Sequence, residues 1–244
     1  MPGRQRDLVE LLLRGRRCVA LQQVIDGLLA SLRVATITAL LSVVLGTLMA
    51  FVLVRYRKFN GKTLFSGMAN TPLVMPEVVL GLSLLIVFKD LFHVQGGAYW
   101  TIILGHSLLG AAYATVVISA RLREMDRRIE EAAMDLGAKP WKVFFLITIP
   151  MIAPSLAAGG MMSFALSLDD LVLASFVSGP GSTTLPMEVF SAVRLGVKPE
   201  INAIASLILL SVSLFTFGSW YLMARAEKRR RAEIAMTTQM QAVA

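Results

Sequence analysis

Apolar residues in this chain come in long unbroken blocks, not at the alternating spacing of a half-buried strand. Residues 34–54, 99–120, 143–168 and 201–224 each lack Asp, Glu, Lys and Arg altogether. Each block reaches the roughly 20 residues that a membrane-spanning helix needs. Residues 63–88 make a fifth block, interrupted only by Glu77. The pattern predicts an all-α membrane protein with five spanning helices. Between the third and fourth blocks lies the opposite kind of sequence: residues 121–142 carry eleven charges and cannot sit in a bilayer.

Composition sharpens this picture. Hydrophobic residues make up 56% of the 244-residue chain and the mean hydropathy is +0.68, above the roughly 45–50% apolar content of a soluble domain. The bases are placed unevenly. Segments 55–62, 121–142 and 225–233 hold 15 of the 24 Lys and Arg residues, whereas the alternate connections, 89–98 and 179–200, hold three. Short loops rich in Lys and Arg stay on the cytoplasmic side, so these three segments and the C-terminus are expected in the cytoplasm. The net charge of +8 follows from that bias and implies no nucleic-acid partner.

The N-terminus breaks the rule, because Arg4, Arg6, Arg14, Arg16 and Arg17 cluster where an odd number of crossings would place the outside. Residues 1–27 are therefore expected to form a separate segment, either a periplasmic amphipathic stretch normally preceded by another helix or a truncated or unusual chain start. Residues 28–228 are expected to form the transmembrane domain and residues 229–244 a cytoplasmic tail. The single Cys18 excludes an internal disulfide.

Within the charged loop, residues 127–136 read as a short helix. Arg127 can pair with Glu131 at i,i+4, and Ala132, Ala133 and Leu136 form a small apolar patch. Gly137 permits the left-handed turn that ends a helix, and Pro140 stops its continuation. The loop motif runs Glu131-Ala132-Ala133, then Gly137, then Ile147, Ile149 and Pro150. This spacing resembles the cytoplasmic loop of permease subunits of binding-protein-dependent ABC importers, with Ile149 where the family has Leu. The resemblance covers about residues 28–228. The runs Thr71-Pro72-Leu73-Val74-Met75-Pro76-Glu77, Ser167-Leu168-Asp169-Asp170-Leu171-Val172 and Phe176-Val177-Ser178-Gly179-Pro180-Gly181 are similar to the polyamine branch. Residues 130–137, Thr184-Leu185-Pro186-Met187 and Lys198-Pro199-Glu200-Ile201-Asn202-Ala203 are most similar to its putrescine importers.

The resemblance implies a type I ABC importer permease fold. It further implies that Glu131, Ala132, Ala133 and Gly137 form a helix that docks on an ABC ATPase. The expected partners are that ATPase, which binds ATP and Mg, a second homologous permease, a periplasmic polyamine-binding protein and membrane lipid. The location implied is the bacterial inner membrane. The chain itself is expected to hold no cofactor and to be no enzyme. Family members usually have six spanning helices, so the resemblance also implies that the first is missing here.

Three acids fall in or beside apolar blocks and are substrate-path candidates, since carboxylates at membrane depth are costly. Asp169 and Asp170 lie near the outer end of their block, where they could conduct a cation, cap a helix end or pair with a partner subunit. Glu77 lies near mid-depth, where a structural hydrogen bond competes with substrate contact. Pro72 and Pro76 remove backbone donors and should kink or break their helix. Pro150 and Pro154, with Gly159-Gly160, should do the same in the fourth block. His106 reads as a packing histidine alone in an apolar helix. Gly105, Gly110, Ala111, Ala112 and Ala114 make a small-residue face suited to close packing against other helices, in keeping with one half of a heterodimeric pore.

Other functions find less support. Gly61-Lys62-Thr63 imitates the end of a phosphate loop, but Tyr56 stands where its first glycine belongs. Two histidines and one cysteine offer no metal cluster, and no Ser/His or paired-Asp spacing suggests an intramembrane enzyme. The remaining alternative is an ion-gradient-driven secondary transporter or channel for a cationic solute, which usually needs internal repeats and more helices.

Overall fold

In the computed structural model, residues 2–56, 59–93 and 98–194 are described, with isolated positions between 206 and 225, and side chains from Gln22 onward. The chain divides into two units, Met1–Phe190 and Ser191–Ala244. The fifth predicted span, 201–224, and the tail at 229–244 lie outside the described residues apart from those isolated positions.

Every regular element among the described residues is helical. In order they are α1 (Pro2–Arg55), α2 (Lys62–Val74), α3 (Glu77–Ile86), α4 (Tyr99–Glu124), α5 (Arg127–Asp135), α6 (Pro140–Val143), α7 (Ile149–Asp169), α8 (Val172–Val177) and α9 (Leu185–Arg194). A π-helical turn, Val87–Leu91, extends α3, and a second, Phe144–Thr148, joins α6 to α7. Three stretches are long and apolar enough to cross a membrane: Gln22–Arg55, Tyr99–Glu124 and Pro140–Asp169. The first begins well before the block expected at residue 34, because helix α1 continues through the charged N-terminal sequence.

The span expected at residues 63–88 is not one helix. Lys62–Val74 and Glu77–Leu91 meet at an angle of 114°, with Pro76 at the break. Pro76 offers no N–H and pushes Met75 into an extended conformation (φ −75°, ψ 137°). Met75 N–H still closes the end of α2 on Thr71 O at 3.1 Å. Pro72 is accommodated inside α2, where it is buried. In the fourth block the expected break does not occur. Pro140–Asp169 runs on without a break, because the π-helical turn comes just before Pro150. Ile149 N–H bonds to Phe144 O there, so the donor missing at Pro150 falls at the first turn of α7, where prolines are tolerated.

The centre of the first unit is an interlock of small residues on α1, α4 and α7. Apolar side chains gain nothing by leaving lipid, so close backbone approach and hydrogen bonds must hold such helices together. Ser42 and Gly46 on α1, Gly110 and Ala114 on α4, and Gly159 and Ser163 on α7 are three pairs at i,i+4 that meet face to face. Ser163 Oγ donates to Gly110 O at 3.0 Å, and Ser42 Oγ to Ser107 O at 3.4 Å. A Cβ added to Gly110 would run into the hydroxyls of Ser42 and Ser163. The small residues expected to face other helices therefore do so inside this chain: Ala111, Ala112 and Ala114 are fully buried, and they are not a surface for a second permease. Two apolar clusters flank the interlock. Val34, Leu80, Ile102, Leu173 and Val177 close one end, and Ala50, Ile118, Leu122, Met125 and Ile152 the end that carries α5.

This packing sets a sharp contrast between glycines. A Cβ at Gly46 would approach Ala114 Cβ to 2.6 Å and Thr115 N to 3.0 Å, whereas at Gly67 it would meet nothing within 4 Å. Gly46→Ala should cost about 1–3 kcal/mol of stability by overpacking, and Gly67→Ala should be neutral or slightly stabilising. Thermal unfolding of both variants in the same detergent measures the difference.

Candidate coupling loop and buried polar sites

Each end of α5 is fixed by local chemistry. Asp126 caps its start, with Oδ1 accepting from Arg128 N–H at 3.0 Å. At its end, Gly137 adopts the left-handed conformation (φ 88°). Gly137 N–H then bonds to Met134 O at 2.9 Å and Ala138 N–H to Ala133 O at 3.1 Å, the paired closure of a Schellman motif. Pro140 occupies the first turn of α6, so the chain stops one helix and starts the next within four residues.

The two faces of α5 differ in character. On the outer face Arg127 Nε meets Glu131 Oε1 at 3.2 Å, both about half exposed, as the i,i+4 spacing predicts. Ala132 is exposed beside them, Ala133 is partly buried, and Leu136 is 90% exposed. On the inner face is a residue the sequence reading passed over. Glu130 is buried, and its Oε1 accepts from Arg55 at the end of α1 (2.8 Å) and from Thr148 Oγ1 in the π-helical turn (2.7 Å). One carboxylate oxygen thus joins α1, α5 and the start of α7. The signal for it was in the sequence: if Arg127 and Glu131 share the solvent face, Glu130 is turned about 100° away from it. Arg55 is the base that ends the first apolar block.

The intramembrane acids do not form one cluster. Asp170 is almost buried, its Oδ1 accepting from Leu173 N–H at 3.0 Å in the first turn of α8. Its Oδ2 lies 3.1 Å from His106 Nε2, within ion-pair range although poorly aligned for a hydrogen bond. His106 Nδ1 is 2.7 Å from Ser167 Oγ. His106 is therefore not alone, and a Ser/His/Asp grouping exists that 61 and 64 residues of separation concealed. It is buried under α4 and α7, and it acts as polar glue between helices. Asp169, one residue earlier, is exposed at the end of α7. Glu77 is also exposed, in the first turn of α3 just past the break, where a helix N-terminus favours a carboxylate. Among the described residues no hydrogen bond or ion pair joins it to either aspartate.

The sequence profile of the "Binding-protein-dependent transport system inner membrane component" family matches residues 42–232. The chain belongs to this family. Curated relatives match most of the chain in sequence. The chain is 57% identical over 208 residues to the putrescine transport system permease protein PotI of Escherichia coli K12, which spans 84% of this chain and 74% of that protein. It is 40% identical over 195 residues to the spermidine/putrescine transport system permease protein PotC of the same organism, covering 80% and 72%. Among solved structures, the MetNI methionine ABC transporter superposes with a TM-score of 0.68 at 15% identity, over 80% of this chain and 92% of that one. An amino acid ABC transporter gives 0.60 at 17% identity, over 89% and 97%. These likenesses show the type I ABC importer permease fold.

The clamp makes a measurable demand. Removing one partner of a buried ion pair leaves the other uncompensated, which costs about 3–5 kcal/mol. Glu130→Ala should therefore destabilise the chain by that order and raise amide exchange across α5. Glu130→Ala combined with Arg55→Ala should cost less than the sum of the single changes. Additive losses would show that the two side chains act independently.

Proposed function

We propose that this chain is the transmembrane permease subunit of an ATP-driven polyamine importer, with putrescine as cargo. In this reading it forms half of the translocation pore in a bacterial inner membrane, beside a second homologous permease. A periplasmic binding protein delivers the cargo, and ABC ATPase subunits, which bind ATP and Mg, supply the energy. The charged loop and the C-terminus face the cytoplasm. The observation that carries the reading is α5. It is held from behind by Glu130 and presents Glu131, Ala132 and Leu136 outward, followed by a turn that only glycine adopts without strain. Small side chains allow close approach of a partner, and the Arg127–Glu131 pair gives a charged rim. The 57% identity to a putrescine permease against 40% to a spermidine/putrescine permease supports the cargo. A gradient-driven transporter is disfavoured by membership of a binding-protein-dependent family.

The docking role is tested in the complete complex. Glu131→Lys and Gly137→Pro should each abolish uptake while membrane abundance stays normal. Normal transport by both variants would overturn the assignment.

For the path, the exposed Asp169 is the stronger candidate and Glu77 the weaker, since a polyamine leaving water needs negative partners. Asp170 has its oxygens committed to α8 and His106. Asp169→Asn should lower the uptake rate at normal abundance, and Asp170→Asn should lower the amount of folded protein. Uptake and immunoblot abundance measured on the same membranes separate the two effects, and unchanged uptake by Asp169→Asn would remove it from the path.

A further inference from the structure

Close packing is interrupted beneath α5. A cavity of about 270 Å³ lies between it and the bundle, lined by Phe51 and Arg55 of α1, Glu130 and Met134 of α5, and Phe144 and Thr148 of the π-helical turn. A gap lacks the close contacts through which packed interiors transmit strain. Across this one runs the carboxylate of Glu130, bonded to Arg55 and to Thr148. Apart from the chain itself, that carboxylate is what ties α5 to the start of the fourth span. The chain connection is the softer of the two, because it passes through the left-handed Gly137, which has no neighbour to brace it.

Thr148 is the half of this tie that its own helix does not use. Thr36, Thr47, Thr71 and Thr115 each turn the hydroxyl back to the carbonyl four residues earlier. A hydroxyl has one proton to donate, and Thr148 gives it to Glu130, 18 residues away in α5, at 2.7 Å. Thr148 is only 1% exposed, so water has no access to take over the bond. Arg55 already balances the charge of Glu130 at 2.8 Å. Neither the helix nor the ion pair therefore needs the threonine hydroxyl.

The turn that carries it has two arrangements open to it. Ile149 N–H bonds to Phe144 O, five residues back, and the same amide would pair four residues back in an α-helix. Coupling between separated sites requires an element of this kind, with two states that a partner can bias.

We propose that Thr148 is a positioning residue for coupling, on the reading that α5 docks on an ATPase. Its hydroxyl, held by Glu130, makes the π-helical turn follow α5, so that movement of the docked loop reaches the fourth span and is not lost in the cavity.

The complete transporter is reconstituted in proteoliposomes with its ATPase and binding protein, and putrescine taken up per ATP hydrolysed is measured. Thr148→Val keeps the shape of the side chain. It should leave the amount of complex and the ATP hydrolysis near normal and lower uptake per ATP about tenfold, a typical coupling loss. Thr148→Ser, which keeps the hydroxyl, should restore the ratio. Amide exchange gives a second readout that needs neither cargo nor a high yield of the variant. On addition of ATP with vanadate, protection should change together at α5 and at Phe144–Thr148 in the unaltered chain, and at α5 alone in Thr148→Val. An unchanged ratio in Thr148→Val overturns the proposal. So does a fall in the amount of complex with the ratio unchanged, which marks a purely structural hydroxyl, and so does an equal loss in Thr148→Ser. Glu131→Lys, run alongside, tests docking by itself: retention of the ATPase by that variant would overturn docking through α5, and this proposal with it, by a result distinct from every Thr148 outcome.

Discussion

A carboxylate taken out of water at the edge of a bilayer costs several kcal/mol unless cation and donor both reach it. Glu130 meets that condition at a single oxygen, shared by Arg55 and Thr148. Because those partners come from different helices, the charge cannot be satisfied unless the end of α1 and the start of the fourth span lie together under α5. The orientation of α5 follows from this. With Glu130 turned inward, the 3.6-residue period puts Arg127 and Glu131 outward, and Asp126 and Gly137 fix where the helix begins and ends.

The same contact explains how a push on α5 would travel. Thr148 belongs to the π-helical turn of Pro140–Asp169, where the backbone leaves α-helical bonding. Such turns are soft points. Eleven and fifteen residues further along, Gly159 and Ser163 are keyed into α4, with Ser163 bonded to Gly110 O. One helix thus has a soft end held by the loop and a rigid middle held by the bundle. A displacement of α5 must be absorbed at Phe144–Thr148 or passed to α4 and α1 as rigid motion.

How much of this could be read from the sequence depended on the range of the interaction. The apolar blocks up to residue 168, the Arg127–Glu131 pair, the Gly137 turn and the break near Pro76 rest on neighbours within a few residues, and the structure agrees with each. The continuation of the fourth span past Pro150 was not legible, because a proline count says nothing of the π-helical turn that accommodates it. Glu130 with Arg55 spans 75 residues and His106 with Asp170 spans 64. No periodicity reports such distances. The small-residue face of α4 was recognised but given to the wrong partner, since a stripe shows that something packs closely without showing what.

The two adjacent aspartates show why residue type alone does not assign a role. Asp170 ends α7 with an extended ψ of 121°, which turns the chain after it so that the Leu173 amide returns to its side chain. There both oxygens are engaged, one by the α8 amide and one by the His106 ring. A carboxylate so committed gains little from a passing cation, because any new contact must replace one it already has. Asp169 is still helical, and its side chain is exposed. Outside those two contacts, it has less to lose to a cation. The structural difference between the neighbours thus follows from the step of about 100° between them on the helix and from the turn after Asp170 that brings the α8 amide back onto it.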